Sequence, residues 1–173
     1  MSFSLYDALV PSWLQILGSV TGLVHKAESH CKALDIAPGK LIDTRLAPDM
    51  LPFGYQVNST VVHSIGALEA ARQGRFSPGR TPWPDSFAGL LELLESATNR
   101  LAAVEPAEVN AMLGRDVRFE AGAYKADFSA EDFFLSLSQP NFYFHATTAY
   151  DILRAEGVII GKIDFLGKMR QKS

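Results

Sequence analysis

Leu9, Trp13, Ile16, Leu17, Val20, Val24, Ala27, Cys31 and Leu34 recur at steps of three and four, the spacing that lays apolar side chains along one face of an α-helix. The pattern predicts a first helix from Leu5 to about Leu34, opened by Ser4 as N-cap with Asp7 in its first turn. Pro11 should kink it or delay its start. Gly54–Gln73 reads as a second helix, with Val57, Val61, Val62, Ile65 and Leu68 on a large face. Its opposite face is small: Ser59, His63, Gly66, Ala67 and Ala70. Two faces of low polarity imply burial on both sides or an oligomer contact.

Asp85 or Ser86 caps the third helix, after the linker Thr81-Pro82-Trp83-Pro84-Asp85. Phe87, Leu90, Leu91, Leu94, Ala97, Leu101 and Val104 give it the cleanest seam in the chain, and Pro106 ends it. A fourth helix opens at Ser129-Ala130-Glu131-Asp132, a capping box with Asp for the usual Glu. It runs to about Glu156, with Pro140 as a kink or restart and Gly157 suited to its C-cap.

Between helices three and four the period changes to two. Val117-Arg118-Phe119-Glu120 and Tyr124-Lys125-Ala126-Asp127-Phe128 alternate around Gly122, which predicts a short hairpin packed on the helices. Between helices one and two, a helical turn is expected near Lys40–Thr44. Pro48 and Pro52 then hold residues 45–52 extended, and a connection of this length usually covers something. The sum is an all-α fold: an up-and-down four-helix bundle with a small β-hairpin insertion before the last helix, as one domain over residues 1–173.

Composition narrows the function. With 173 residues the chain suits one domain with a real core, and 47% apolar with 20% charged residues is ordinary for a globular protein. A net charge of −3 leaves no footprint for nucleic acid or an anionic membrane. One cysteine gives neither a disulfide framework nor a cysteine zinc site. No basic leader precedes the first apolar residues, and no apolar run approaches the roughly 20 residues of a membrane span. The expected setting is the reducing cytoplasm.

The chemistry concentrates in Gln139–Gly167, which combines Pro140, Asn141, an aromatic run, His145, two threonines and Arg154. On a helical wheel His145 falls among Phe142, Ala149 and Ile152, with Asn141 and Thr148 at the edges, so it points at the interior. Ala146 and Ala149 beside it leave room for a ligand, a metal or another helix; a core histidine bonded to its neighbours is the plainer reading. A helical metal pair needs histidines three or four apart. Position 149 is Ala and position 141 is Asn, so the fourth helix offers one imidazole. His25 and His30 diverge by more than a right angle. His63, His145 and a carboxylate could still build a site across helices. Cys31 lies on the first seam with no basic neighbour, as a buried inert thiol. Phosphate loops, dinucleotide fingerprints and serine elbows are absent. Arg45 and Asp49 could pair with each other, or Asp49 could orient His145 as a carboxylate orients a general base.

Four sets of residues also carry a family resemblance. They are Pro140-Asn141-Phe142-Tyr143-Phe144-His145; Ala149-Tyr150-Asp151-Ile152-Leu153-Arg154 with Gly157; Gly161-Lys162-Ile163-Asp164-Phe165-Leu166-Gly167; and earlier Ser4-Leu5-Tyr6-Asp7, Lys26-Ala27-Glu28, Arg45-Leu46-Ala47-Pro48-Asp49-Met50 and Gln56-Val57. Together they resemble an uncharacterised branch of the DinB-like (DinB/YfiT) superfamily, the domain-of-unknown-function family numbered nineteen-ninety-three. The resemblance implies a DinB-like bundle, often dimeric. It also implies, for many members, a divalent metal on three histidines, one on helix two and an H-x-x-x-H pair on helix four. Some members are thiol-dependent transferases or hydrolases. Here His145 and His63 match, and Ala149 breaks the pair. Val62 and Ile65 replace an acidic residue and a lysine common in the branch, which implies a greasier pocket.

The expected function is a pocket protein that binds, and in one version transforms, a small apolar organic molecule without a cofactor. His145, Tyr143, Asn141 and Asp49 would be its catalytic residues, with His145 as general acid or base. His63, Arg45, Phe142, Ala149, Thr148 and Ile152 would line the ligand site. A homodimer is expected, with no nucleic-acid or membrane partner. The alternatives are a divalent-metal-dependent DinB-like transferase or hydrolase, and a non-catalytic dimeric binding module.

Overall fold

The computed structural model describes residues 3–79 and 82–172. The Thr81 end of the predicted linker lies outside them. Helix α1 spans Leu5–Ala33, and Ser4 and Asp7 cap it reciprocally: Ser4 N–H donates to Asp7 Oδ2 at 3.0 Å, and Asp7 N–H to Ser4 Oγ at 3.3 Å. The helix passes through Pro11. Its seam forms the core as expected except at Leu34, which caps the C-terminus and is exposed.

Helix α2, Pro38–Ile42, is the predicted short turn, with proline in its first position. The second long stretch is not one regular helix. It comprises α3 (Phe53–Val61), a π turn over Val62–Gly66 and α4 (Ala67–Arg72). On its small face Ser59, His63 and Ala67 are buried within the chain, while Gly66 and Ala70 stay half-buried. Strand β1, Arg75–Phe76, follows.

Ser86 caps α5 (Phe87–Ala102) by accepting from Gly89 N–H at 3.2 Å. Pro106 ends that helical run but also opens α6, Pro106–Asn110. The hairpin is β2 (Asp116–Ala121) and β3 (Tyr124–Ser129), joined at Gly122 with φ +61°. Strand β1 pairs parallel to β2 through Phe76 and Phe119. The chain is therefore mostly helical with a small three-stranded mixed sheet, in which β1 adds a third strand to the expected hairpin.

After α7 (Ala130–Asp132) the backbone forms a second π segment, Phe133–Ser138, before α8, Gln139–Ala155. Pro140 lies in the first turn of α8, directly after the π segment and inside one continuous helical run. Helix α8 packs on α3 and α1, and α1 packs on α5. At their meeting Trp13 has no exposed surface and stands edge-on to Phe134 at 6.0 Å and Phe142 at 6.5 Å.

The chain end is strapped back. Helix α9, Lys162–Leu166, is capped by Asp164 accepting from Gly161 N–H at 2.8 Å, and Asp164 also meets Lys26 Nζ at 2.6 Å. Gln15 Nε2 donates to the Leu166 carbonyl at 2.8 Å. Gly167 turns with φ +61° against Ser19, leaving no room for a Cβ. Gly167→Ala is expected to cost about 1–3 kcal/mol and to speed amide exchange across α9 while α8 stays protected; hydrogen exchange checks it. By length and composition α1 could cross a membrane, against the expectation that no apolar run approaches that length; half of its most apolar window is buried inside the protein.

Candidate functional site

Two imidazoles meet where α3 and its π turn pack on α8. His63 and His145 have ring centroids 5.6 Å apart and planes 19° from parallel, and both are buried. Each π segment contributes. One carries His63, and the other brings up Ser138, whose hydroxyl donates to the His63 carbonyl at 2.9 Å. A π turn shifts the helix's own bonding by one residue, and such turns recur at functional sites. Here the second segment's hydroxyl reaches a carbonyl of the first.

Gln56 fixes the state of His145. Its Nε2 donates to the Leu51 carbonyl at 2.7 Å, which orients the amide. Gln56 Oε1, an acceptor only, stands 2.7 Å from His145 Nδ1. His145 Nδ1 must therefore carry the proton and donate, so neutral His145 keeps its lone pair on Nε2. Burial lowers the His145 pKa from 6.5 to about 4. Burial, and then the charge His145 would carry, lower that of His63 to about 3. Both rings are neutral at pH 7. His63 Nδ1 is buried without a hydrogen-bond partner.

Aromatic rings enclose the pair. Tyr55 and Phe144 stand edge-on to His145 at 5.7 and 5.3 Å, and Phe76 lies 5.4 Å from His63. Ala146 and Ala149 are fully buried core residues. The open space expected beside His145 is thus taken up by other rings, which corrects that expectation. Trp83 packs on Tyr55 at 5.5 Å and over Gly54, where a Cβ would stand 2.5 Å from Trp83 Cδ1 and 2.9 Å from Ile42 Cγ2. Gly54→Ala is expected to cost about 1–3 kcal/mol and to shift tryptophan emission as Trp83 is pushed outward; denaturation followed by fluorescence checks both.

A surface groove of about 550 Å³ lies on the far side of Phe144, between residues 45–52 and α8, with Leu46, Met50, Tyr143, Phe144, Thr147 and Asp151 in its walls. Tyr143 of the expected catalytic set lies here. Asn141 does not join His145: its Nδ2 donates to the Leu137 carbonyl at 2.7 Å. Asp49 is exposed, and Gln56 holds the orienting position foreseen for it. Arg45 Nη1 donates to the Met50 carbonyl at 2.5 Å, and among the described residues Arg45 and Asp49 form no ion pair. Phe142 and Ile152 are core, and Thr148, of the expected ligand set, borders the same groove with its Oγ1 tied to the Phe144 carbonyl at 2.8 Å. Burial raises the Cys31 thiol pKa, so it stays protonated. Gln56, Tyr55, Phe76, Trp83 and Ser138 were missed as site residues. Gln56 had a signal: it lies two turns before His63 on the same helical stretch.

The donor set does not fit the metal centre that the resemblance implies. It offers two imidazoles and one neutral amide oxygen, and His145 Nδ1 is committed to that oxygen. Among the described residues no third histidine, cysteine or carboxylate joins them.

Much of the family-like C-terminal stretch is architectural. Arg154 Nη1 donates to the Ile160 carbonyl at 2.7 Å, Gly157 takes φ +83° just past α8, and Asp164 and Gly167 hold α9 on α1. A crystal structure of a DinB family member protein from Shewanella denitrificans is similar to the protein, with TM-score 0.82 and 26% identity over 98% of this chain and 95% of that one. Residues 5–166 match the domain of unknown function DUF1993, and the chain belongs to that family. No curated protein matches it in sequence.

Proposed function

We propose that the protein is a cytoplasmic, single-domain DinB-like bundle of up-and-down helices that binds a small, largely apolar organic molecule. His145 Nε2 then acts on it as a metal-independent general base. The observation that carries this reading is the bond from His145 Nδ1 to Gln56 Oε1 at 2.7 Å. It leaves one basic nitrogen, held neutral by burial, beside a second neutral imidazole. A base must be unprotonated and held in place to accept a proton. Phe144 separates the groove from the ring, so its rotation would open the approach. Tyr143, in the same wall, is placed to assist by hydrogen bonding. The resemblance supports a homodimer.

His145→Phe keeps an aromatic ring in place and removes both nitrogens. A fragment screen by ligand-observed NMR should yield hits that bind about tenfold more weakly to this variant, the worth of one lost hydrogen bond. Hits that all ignore the replacement would sink the reading.

A further inference from the structure

We propose that the groove beyond Phe144 is a binding site for a small organic ammonium ion with an apolar body. On α8, residues 143, 144, 147 and 151 recur at steps of one, three and four, so one helical face builds one wall. Leu46 and Met50, on the connection before α3, build the other. Leu46 and Phe144 remain 42% and 55% exposed, apolar surface left open inside a concavity whose volume suits a small ligand.

Among the described residues Asp151 is the only charged side chain that lines the groove, and it takes part in no ion pair or side-chain hydrogen bond. Arg45, on the connection that builds the opposite wall, is exposed, and its Nη1 is held on the Met50 carbonyl. Within the lining itself an anion would meet only the Asp151 carboxylate, and a neutral molecule would leave that carboxylate unused. A cation satisfies both parts. Its charge pairs with Asp151 and rests against the ring faces of Tyr143 and Phe144, an arrangement known to attract ammonium groups. The Thr147 hydroxyl can accept from an ammonium N–H. The apolar body then covers Leu46 and Met50. This names the ligand class for the general-base reading above and rests on it only for what happens past Phe144.

n-Hexylammonium, n-hexanol and n-hexanoate share one apolar body and differ in charge. Titrated into the ¹⁵N-labelled protein, hexylammonium should shift the amides of Thr147 and Asp151 saturably, and hexanoate should not. Asp151→Asn should weaken hexylammonium binding about threefold to fivefold, the worth of one partly exposed ion pair, and bring it level with hexanol. Equal binding of all three compounds, no saturation, or indifference to Asp151→Asn would overturn the site. Hexylammonium binding retained by His145→Phe leaves the groove standing even if the general-base reading fails. Binding lost with His145 but kept in Asp151→Asn would place the ligand elsewhere and end the proposal.

Discussion

Acidification is expected to destabilise the protein between about pH 6.5 and pH 4, ahead of the usual carboxylate range. The His63 and His145 pKa values fall from 6.5 to about 3 and about 4 on folding. The unfolded chain therefore binds protons that the folded one refuses. The stabilisation is whole above the unfolded value, shrinks as pH drops below 6.5, and is exhausted below the folded values. Each imidazole contributes a slope of up to about 1.4 kcal/mol per pH unit. Their mutual repulsion couples them, so the second proton is refused more strongly than the first. Asp127 and Asp164, lowered by their bonds to Arg118 and Lys26, lose their contribution only at lower pH. Urea melts at pH 7, 6 and 5 should show a falling midpoint. The fall should disappear in His63→Phe/His145→Phe and persist in His25→Gln, whose ring is exposed. A midpoint flat from pH 7 to 5, or equally steep without the two rings, would contradict the buried neutral pair.

Two neighbouring phenylalanines should behave oppositely. Phe142 has no exposed surface and packs edge-on against Trp13 at 6.5 Å and Tyr143 at 5.5 Å. Phe142→Ala leaves a cavity at the meeting of α1 and α8, and a loss of about 3–5 kcal/mol is expected. Phe144 is more than half exposed and stands edge-on to His145, so Phe144→Ala should cost under about 1 kcal/mol. It should also let solvent reach His145 and raise that histidine's pKa towards its ordinary value, because burial is what lowers it. Equal losses of stability, read by chemical denaturation, would mean that α8 is turned differently about its axis.

Much of the architecture was written locally. Ser4, Ser86 and Ser129 cap where their neighbours' spacing said helices begin, and the period-two residues around Gly122 pair as a hairpin. The π turns were not legible, because no residue type marks the one-residue slip in backbone bonding and five or six residues are too few to set a period of their own. Strand β1 is two residues long and exists only because β2 offers it an edge. Its Phe76 nonetheless closes one side of His63. A helical wheel could aim His145 inward but could not say what stood there, since His63, Gln56 and Tyr55 arrive from another helical stretch. Asp49 failed as the orienting group for the same reason: the turn ending at Leu51 presents a carbonyl to Gln56 instead.

The proton on His145 is the most direct quantity to measure. Long-range ¹H–¹⁵N correlation spectra of the histidine rings, recorded from pH 8 to 4, report tautomer and pKa together. The expected result is a neutral ring protonated on Nδ1, titrating near pH 4, with a Gln56→Leu variant losing the tautomer preference. A ring protonated on Nε2 at pH 7, or one titrating above pH 6, would contradict it.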